Sequence, residues 1–451
     1  MKNFILVSVM FITANLFGQL DFNNINLNDY KDPDYKYRSL YLYFDLNGKG
    51  SISIKNDRYS DYMSGNGGTG LNLNASCHVV KNSRKKQFSR FTIIGLSPNI
   101  HLSKEYNTDV NNKISFFLTF DNRTYQKYYI FKKMFFETDI FLSTYNKAVT
   151  DIDGEKGYIN SNNNLRLPLM IGFGRIENIT SAWHAIRIVE DLQKDGVIKE
   201  GASFSEEDII SLANFVTDRN YTRSFDYRKK LKDDIVGLRH SILSDKVDFN
   251  NPLAYASIFD MWQNGVNTLR RSGYTIAFGL EPGLRLSYFD NDRPNYSIKA
   301  LDLFLITRLD YARALSKKWQ LDFTIELKGG ANDVLLSDSR IDDDVTDNLK
   351  PRAYSNLSFT VGYFPNTRTS FSSTIKLRGN MSSPNPDSDI IHFNHYFLFD
   401  NNLYYYINSR NRLSFHFNVS DRLYINNWQN FNQNNNSIGI DFGIGYSLGI
   451  F

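Results

Sequence analysis

The 451-residue sequence contains a single cysteine, Cys77, which excludes an intramolecular disulfide framework. It carries 52 basic and 48 acidic side chains, and a net charge of +4 on a chain of this size gives no basis for nucleic-acid binding. Beyond the N-terminus there is no long apolar run, and the mean hydropathy is −0.41. Hydropathy therefore predicts no membrane-spanning helix in the rest of the chain.

The N-terminus does carry an apolar run. Lys2 is followed by a mainly apolar run from 4 to 17 and then by Gly18 and Gln19. This layout is typical of a secretory signal peptide, so we predict that residues 1–19 are one and that the protein is exported. A single spanning helix is the alternative, but the run is short for a bilayer core about 30 Å thick.

Many segments alternate between apolar and polar residues. A period of two places each set on its own face of a strand, and here one face is apolar while the other is small or polar. A soluble sandwich also alternates, but many such strands together with 15% aromatic residues favour a barrel between lipid and a wet lumen. The clearest example has the apolar residues Ile438, Ile440, Phe442, Ile444, Tyr446, Leu448 and Ile450.

The sequence predicts an all-β transmembrane barrel of about 14 antiparallel strands, within a range of 12 to 16. Links alternate between short ones, such as 312–317 and 365–367, and long ones, such as 329–353 and 426–435. Outer-membrane barrels have short periplasmic turns and long external loops, so we expect the bacterial outer membrane as the location. The predicted strands are 38–57, 69–80, 89–101, 112–121, 133–146, 165–174, 274–288, 297–311, 318–328, 354–364, 369–379, 391–406, 411–425 and 436–450.

Between 178 and 271 the period changes to about 3.6, which predicts a central all-α insert. Ser205 with Asp208 resembles a capping box, and Asn251 with Pro252 resembles the start of a further helix. The expected organisation is a first barrel half at 20–177, the helical insert at 178–271 and a second barrel half at 272–451. The even number of preceding strands predicts that the insert lies in the periplasm or folds into the lumen as a plug.

Two segments flanking the first helices, 172–178 (GFGRIEN) and 219–228 (RNYTRSFDYR), resemble a signature of outer-membrane β-barrel proteins of the Bacteroidetes. These are uncharacterised proteins with a helical insert in the middle of a predicted barrel. The resemblance implies the same fold and location for this chain, and it implies no mechanism.

The same two segments contain the candidate site. Its residues are charged and flank the junction between strand and helix, which suits either a latch of ion pairs on the barrel rim or a site for a ligand or partner. Of these two interpretations we favour the latch. The residues are Arg175, Glu177, Arg219, Arg223, Asp226 and Arg228.

No catalytic residue, cofactor-binding residue or metal ligand is predicted. Ser414, His416 and Asn418 share one strand face and are residue types that outer-membrane phospholipases use, but side chains two apart on a strand approach hydrogen-bond distance only loosely, so we favour lumen lining as their role. His392 and His395 fall on opposite faces and make a poor metal pair. The acidic stretches 151–155 and 342–344 lack the spacing of a calcium loop.

The leading functional hypothesis is a channel or transport component that the helical insert gates or plugs. Two alternatives stay open: a structural, assembly or docking component with a closed lumen, and an outer-membrane lipid hydrolase or acyltransferase. The expected partners are outer-membrane lipid, the barrel-insertion machinery acting on the C-terminal strand, and a small solute or a periplasmic protein.

Overall fold

The computed structural model describes part of the chain, and everything below refers to that part. The predicted signal peptide, Arg223, Asp226, residues 153–155 and residues 342–344 lie outside it. The described residues are 28, 30–57, 60–104, 111–151, 157–221, 227–241, 243–264, 269–290, 296–337, 350–366, 368–383, 392–407, 411–428 and 431–448.

Antiparallel strands make up most of the described chain, and apart from β6 and β7 each is hydrogen-bonded to the next in sequence, as predicted for a barrel. The prediction of a β-barrel with a central helical insert is confirmed. No described ladder joins the first strand to the last, so the seam of the wall lies between them. The strands are β1 (Tyr35–Asp57), β2 (Ser60–Asn82), β3 (Lys86–Lys104), β4 (Asn111–Tyr129), β5 (Met134–Asp151), β6 (Gly157–Arg166), β7 (Leu169–Asn178), β8 (Arg271–Asp290), β9 (Tyr296–Ala314), β10 (Trp319–Ser337), β11 (Lys350–Tyr363), β12 (Thr369–Ser382), β13 (His392–Tyr406), β14 (Asn411–Trp428) and β15 (Phe431–Leu448).

Two of these strands occupy one position in the wall. Both β6 and β7 lie between β5 and β8, one after the other. Pro168 separates them because it has no backbone N–H to give to a ladder. The described strands therefore fill 14 positions, which is the number predicted.

The predicted faces agree with the exposure of the side chains. On β15, Phe442 is 70% exposed and Ile440 is 69% exposed, whereas Gly443 and Gly445, which alternate with them, are half-buried. Exposed leucine, isoleucine and phenylalanine side chains also follow β7, β8 and β9. The wall thus presents an apolar outer surface.

The strand ends differ at the two ends of the wall. Turns at 83–85, 130–133 and 315–318 join strands at one end, while the links 105–110, 291–295 and 338–349 leave the other end. The predicted long loop at 426–435 is wrong, because β14 and β15 are paired there as far as Trp428 and Phe431. Its asparagine-rich sequence has no apolar alternation from which a strand could be recognised.

The helical insert follows β7 and precedes β8, at the end of the short turns. Its helices are α1 (Thr180–Lys194), α2 (Glu206–Tyr221), α3 (Tyr227–Ser241) and α4 (Pro252–Asn264). The capping box is present: the Ser205 N–H and hydroxyl donate to Asp208 Oδ2 at 2.7 Å, and the Asp208 N–H donates to Ser205 Oγ at 3.2 Å. In α4, Asn251 Oδ1 accepts from the Leu253 N–H at 3.0 Å. No helix in the described part of the chain is long and apolar enough to cross a membrane.

The insert and the end of the wall share one apolar core. Trp183, Ile186 and Leu192 of α1 pack with residues of α2, α3 and α4. The same core contains Ala314 and Phe364, which lie at the ends of β9 and β11. The insert is therefore packed directly against the wall through a shared hydrophobic core.

Candidate functional site

The wall encloses a polar cavity of about 850 Å³. Its lining comes from residues of β6 and of β8 to β14, so this cavity is a section of the lumen. The charged side chains of the lining are the bases Arg166, Arg285, Lys328, Arg378 and Arg422 and the acids Glu281, Asp302 and Glu326.

A second cavity of about 220 Å³ adjoins the first and shares Arg166, Glu281, Glu326 and Lys328 with it. Beside it an ion-pair network crosses the interior. Glu137 of β5 is fully buried and pairs with Lys127 of β4 at 3.2 Å and with Arg308 of β9. Because β5 and β9 are not neighbours in the wall, the pair between Glu137 and Arg308 links separate parts of the lumen.

The short-turn side of this network is apolar. Phe135, Met170, Ala277 and Ile306 form a small buried apolar cluster between β5 and β9, with Tyr129 packed against it. The Lys127 ammonium lies 4.4 Å from the centroid of the Phe135 ring. The lumen is thus filled along this part of the wall, next to the end where the insert is docked.

Two of the predicted site residues meet at the end of β7. Glu177 pairs with Arg84 of the β2–β3 turn at 2.6 Å and with Arg175 at 2.9 Å. Arg175 also donates to the carbonyl oxygens of Ser83 and Arg84, both at 3.1 Å. This cluster, the Glu177 latch, joins the strand that enters the insert to a turn of the first barrel half.

Backbone geometry places Arg175 in that latch. Strict alternation after the exposed Ile171 and Phe173 would expose Arg175, yet its side chain is only 10% exposed. Gly174, with φ of 102°, interrupts the alternation, and a Cβ there would overlap the carbonyl oxygen of Tyr274.

The segment before β1 adds a buried acid to the Glu177 latch. Asp32 is fully buried, its carbonyl oxygen accepts from Arg84, and Thr217 of α2 donates to its Oδ1 at 3.5 Å. Burial and the nearby Glu177 carboxylate raise the pKa of Asp32 to about 7. The Asp32 carboxyl, which lies in the contact between insert and barrel, therefore titrates near neutral pH.

A second contact lies on the other side of the insert. Arg270, which precedes β8, is fully buried and donates to the carbonyl oxygens of Ser316, Lys317 and Trp319 at 2.8 to 3.0 Å. It also donates to Gln320 Oε1 at 3.2 Å. Burial lowers the pKa of Arg270 to about 9, with Arg187 as a further cause, so the guanidinium stays protonated at neutral pH.

Helices α1 and α4 extend this contact, the Arg270 latch, to a second short turn. The Trp183 indole N–H donates to the Lys317 carbonyl oxygen at 2.7 Å. Arg187 donates to the carbonyl oxygens of Phe364 and Pro365 at 3.3 Å, and Asp260 of α4 pairs with Arg368 at 2.9 Å. The insert is thus bound to the β9–β10 and β11–β12 turns.

The two latches lie on opposite sides of the wall. In a ring of 14 strand positions, the β2–β3 turn is separated from the β9–β10 and β11–β12 turns by about half the circumference. On the first side, the Tyr221 ring of α2 also stacks on Tyr35 of β1 at a centroid distance of 3.8 Å. Because one insert contacts both sides, it extends across the short-turn opening.

Arg219, another predicted site residue, makes a contact within the insert. Arg219 pairs with Asp234 of α3 at 3.0 Å and so links two helices within the insert. Arg228 lies in α3, and its side chain lies outside the described part of the structure. Sequence reasoning missed Asp32, Arg84 and Arg270, which carry both latches, because single charged residues outside a periodic stretch give no signal.

The candidate hydrolase residues show no catalytic arrangement. The Ser414 hydroxyl donates to the Gly445 carbonyl oxygen at 3.2 Å. The His416 ring lies over Gly443, and no hydrogen bond between Ser414 and His416 is found in the described residues. No group of three His, Cys, Asp or Glu that could hold a metal ion occurs in the same part of the chain.

These observations define a β-barrel with an apolar exterior, a charged lumen and a helical domain docked over its short-turn end. Comparison with models of known protein families found no match, and neither did comparison with curated proteins. Among solved structures, the translocator domain of autotransporter NalP from Neisseria meningitidis is similar at 9% identity. The similarity covers 79% of this chain and 88% of that one, but its TM-score of 0.29 is too low to support any functional conclusion.

Proposed function

We propose that this protein is a bacterial outer-membrane channel for small solutes, with a helical insert that closes its periplasmic opening. The observation that carries the proposal is the placement of one insert across the short-turn end, bound on opposite sides above a polar lumen. The apolar outer surface supports insertion into a lipid bilayer, since soluble monomers rarely expose such large apolar areas.

The test is single-channel conductance of the purified protein in a planar lipid bilayer. We expect low or no conductance from the full chain and stable conductance after residues 180–264 are replaced by a short flexible linker. Arg270→Met should raise the frequency of opening without removing the insert. Arg271→Met is the matched control, because it removes the same charge from the next residue, which pairs with Asp322 near the surface.

A second candidate is a structural or docking component with a closed lumen. The buried apolar cluster around Phe135 and Met170 favours a closed lumen, because these side chains fill part of the interior. This candidate predicts no conductance from either the full chain or the deletion variant. Stable conductance that increases on deletion would exclude it, whereas two silent forms would exclude the channel.

A further inference from the structure

The larger lumen cavity contains more positive than negative charge. Its three acids are already paired: Glu281 and Glu326 contact Lys328 at 2.6 and 3.4 Å, and Asp302 contacts Arg285 at 3.5 Å. The three other bases of the lining, Arg166, Arg378 and Arg422, form no ion pair within the described part of the chain. The cavity therefore contains three guanidinium groups that have no ion-pair partner among the described residues.

Strand register places two of these arginines in one row, two strands apart. Arg378 of β12 lies opposite Tyr396 of β13, which in turn lies opposite Arg422 of β14. Neighbouring strands are about 4.8 Å apart, so the backbones of the two arginines are about 10 Å apart, and side chains of this length can reach one common ligand between them. The Arg422 guanidinium lies 5.7 Å from the centroid of the Tyr396 ring, and Asn356 continues the row on β11.

A guanidinium group matches the geometry of carboxylate and phosphate oxygens and binds them through paired hydrogen bonds. Beside the arginines the lining offers amide and phenol groups, at Asn356, Tyr354 and Tyr396, which suit hydroxyl groups of a solute. We infer that this cavity binds small hydroxylated solutes that carry a carboxylate or phosphate group, with Arg378 and Arg422 as the main ligands and Arg166 on the facing wall. This inference rests on the proposed channel function, because solutes must be able to reach the lumen.

Binding is measured first, without reference to conduction. Isothermal titration calorimetry of the detergent-solubilised full chain and deletion variant would use inorganic phosphate and glucuronate as probes and glucose as the neutral comparison. We expect saturable binding of an anionic probe and at least ~10-fold weaker binding by Arg378→Gln/Arg422→Gln. Arg90→Gln, on the exposed part of β3 and outside the cavity lining, should bind as the unaltered chain does.

Ion selectivity gives a second readout in the deletion variant. Under a potassium chloride gradient, the reversal potential should show a preference for chloride that falls in Arg378→Gln/Arg422→Gln. Arg378→Lys/Arg422→Lys should keep that preference but bind phosphate more weakly. Lysine keeps the charge but lacks the planar guanidinium group that makes paired hydrogen bonds to an anion. Preference of phosphate over glucuronate, or the reverse, identifies which anion the site fits.

Each outcome decides one of the two proposals. Equal anion binding by the unaltered chain and Arg378→Gln/Arg422→Gln, or no saturable binding at millimolar probe, would overturn the anion site even if the deletion variant conducts. Binding that Arg378→Gln/Arg422→Gln weakens, in a protein that never conducts, would support the anion site and refute the channel.

Discussion

Replacing Arg270 by methionine tests whether the insert is held in place mainly by one buried guanidinium group. Methionine keeps most of the length of the side chain but removes the four hydrogen bonds to Ser316, Lys317, Trp319 and Gln320. The ring contacts with Trp183 and Phe364, at 5.8 and 5.0 Å, lose their cation as well. The substitution therefore acts on the docking of the insert and leaves the ladders intact.

The size of the effect follows from the acceptors left behind. The Lys317 oxygen keeps the Trp183 indole as a donor, and the Trp319 oxygen keeps the Leu315 N–H at 3.0 Å. The Ser316 oxygen and the Gln320 side-chain oxygen lose the Arg270 donor, at about 1–3 kcal/mol each. Removing a buried charge offsets part of this, so we expect docking to weaken by about 3 kcal/mol, or on the order of 100-fold.

Hydrogen exchange followed by mass spectrometry measures this loss directly. Peptides from α1 should exchange on the order of 100-fold faster in Arg270→Met, while peptides from β12 should keep their protection. Arg271→Met, which breaks a pair 44% exposed on the arginine side, should change exchange little because such pairs contribute about 0–1 kcal/mol. Unchanged exchange in α1, or an equal increase in α1 and β12, would refute the assignment of Arg270 to docking.

Three further substitutions test other parts of the structure. Glu137→Gln should destabilise the barrel by about 3–5 kcal/mol in urea unfolding, because it leaves Lys127 buried without a carboxylate and leaves Arg308 with Asp310 as its one remaining acidic partner among the described residues; a loss below about 1 kcal/mol would show that water screens the network. Gly174→Ala should slow refolding into detergent and lower the midpoint of unfolding. The reason is that the φ of 102° is strained for alanine and the Tyr274 carbonyl oxygen leaves no room for a Cβ. An unchanged midpoint would contradict this geometry. Ser205→Ala should lower the free energy of local opening at the start of α2 by about 1 kcal/mol, which hydrogen exchange measures as faster exchange there. Unchanged exchange would mean that the capping box contributes nothing to stability.

Much of the wall could be predicted from the sequence because its two environments are so different. Lipid outside and water inside impose a period of two, as at Ile438, Ile440 and Phe442, and 14 positions followed from counting such segments. The first part of β6 was missed, because its run from Asn160 to Asn164 has no apolar alternation. There, polar side chains bond across the strand pair, as Ser161 does to Asn146 at 2.7 Å.

The docking contacts of the insert could not be predicted in the same way. The local elements were readable, since a capping box such as that of Ser205 acts over four residues. Arg270 instead binds residues 46 to 50 positions away, and Arg84 binds Glu177 across 93 positions. No period or spacing in a single sequence encodes such pairs, because they depend on where the closed wall brings its turns.

The chemistry of the two latches differs, and this difference decides how pH should act on the insert. Arg270 stays protonated between pH 6 and 8, so its latch should be insensitive over that range. Asp32 has a folded-state pKa of about 7, raised above its ordinary 3.8 by burial first and Glu177 second, so its contribution to stability is full at acidic pH. That contribution is lost as the pH rises from about 4 to about 7, and the total loss is up to about 4 kcal/mol.

A rise in pH should therefore loosen the insert on the side of α2 while α1 stays docked. Hydrogen exchange of α2 peptides should be faster at pH 8 than at pH 6, after correction for the intrinsic rate, with little change in α1. Asp32→Asn should remove this difference and protect α2 at pH 8, since an amide keeps the acceptor oxygen for Thr217 and cannot ionise. Equal pH dependence in α1 and α2, or a dependence that survives Asp32→Asn, would show that the two latches do not act separately. If they do act separately, the insert is attached by one contact that does not titrate near neutral pH and by one that does.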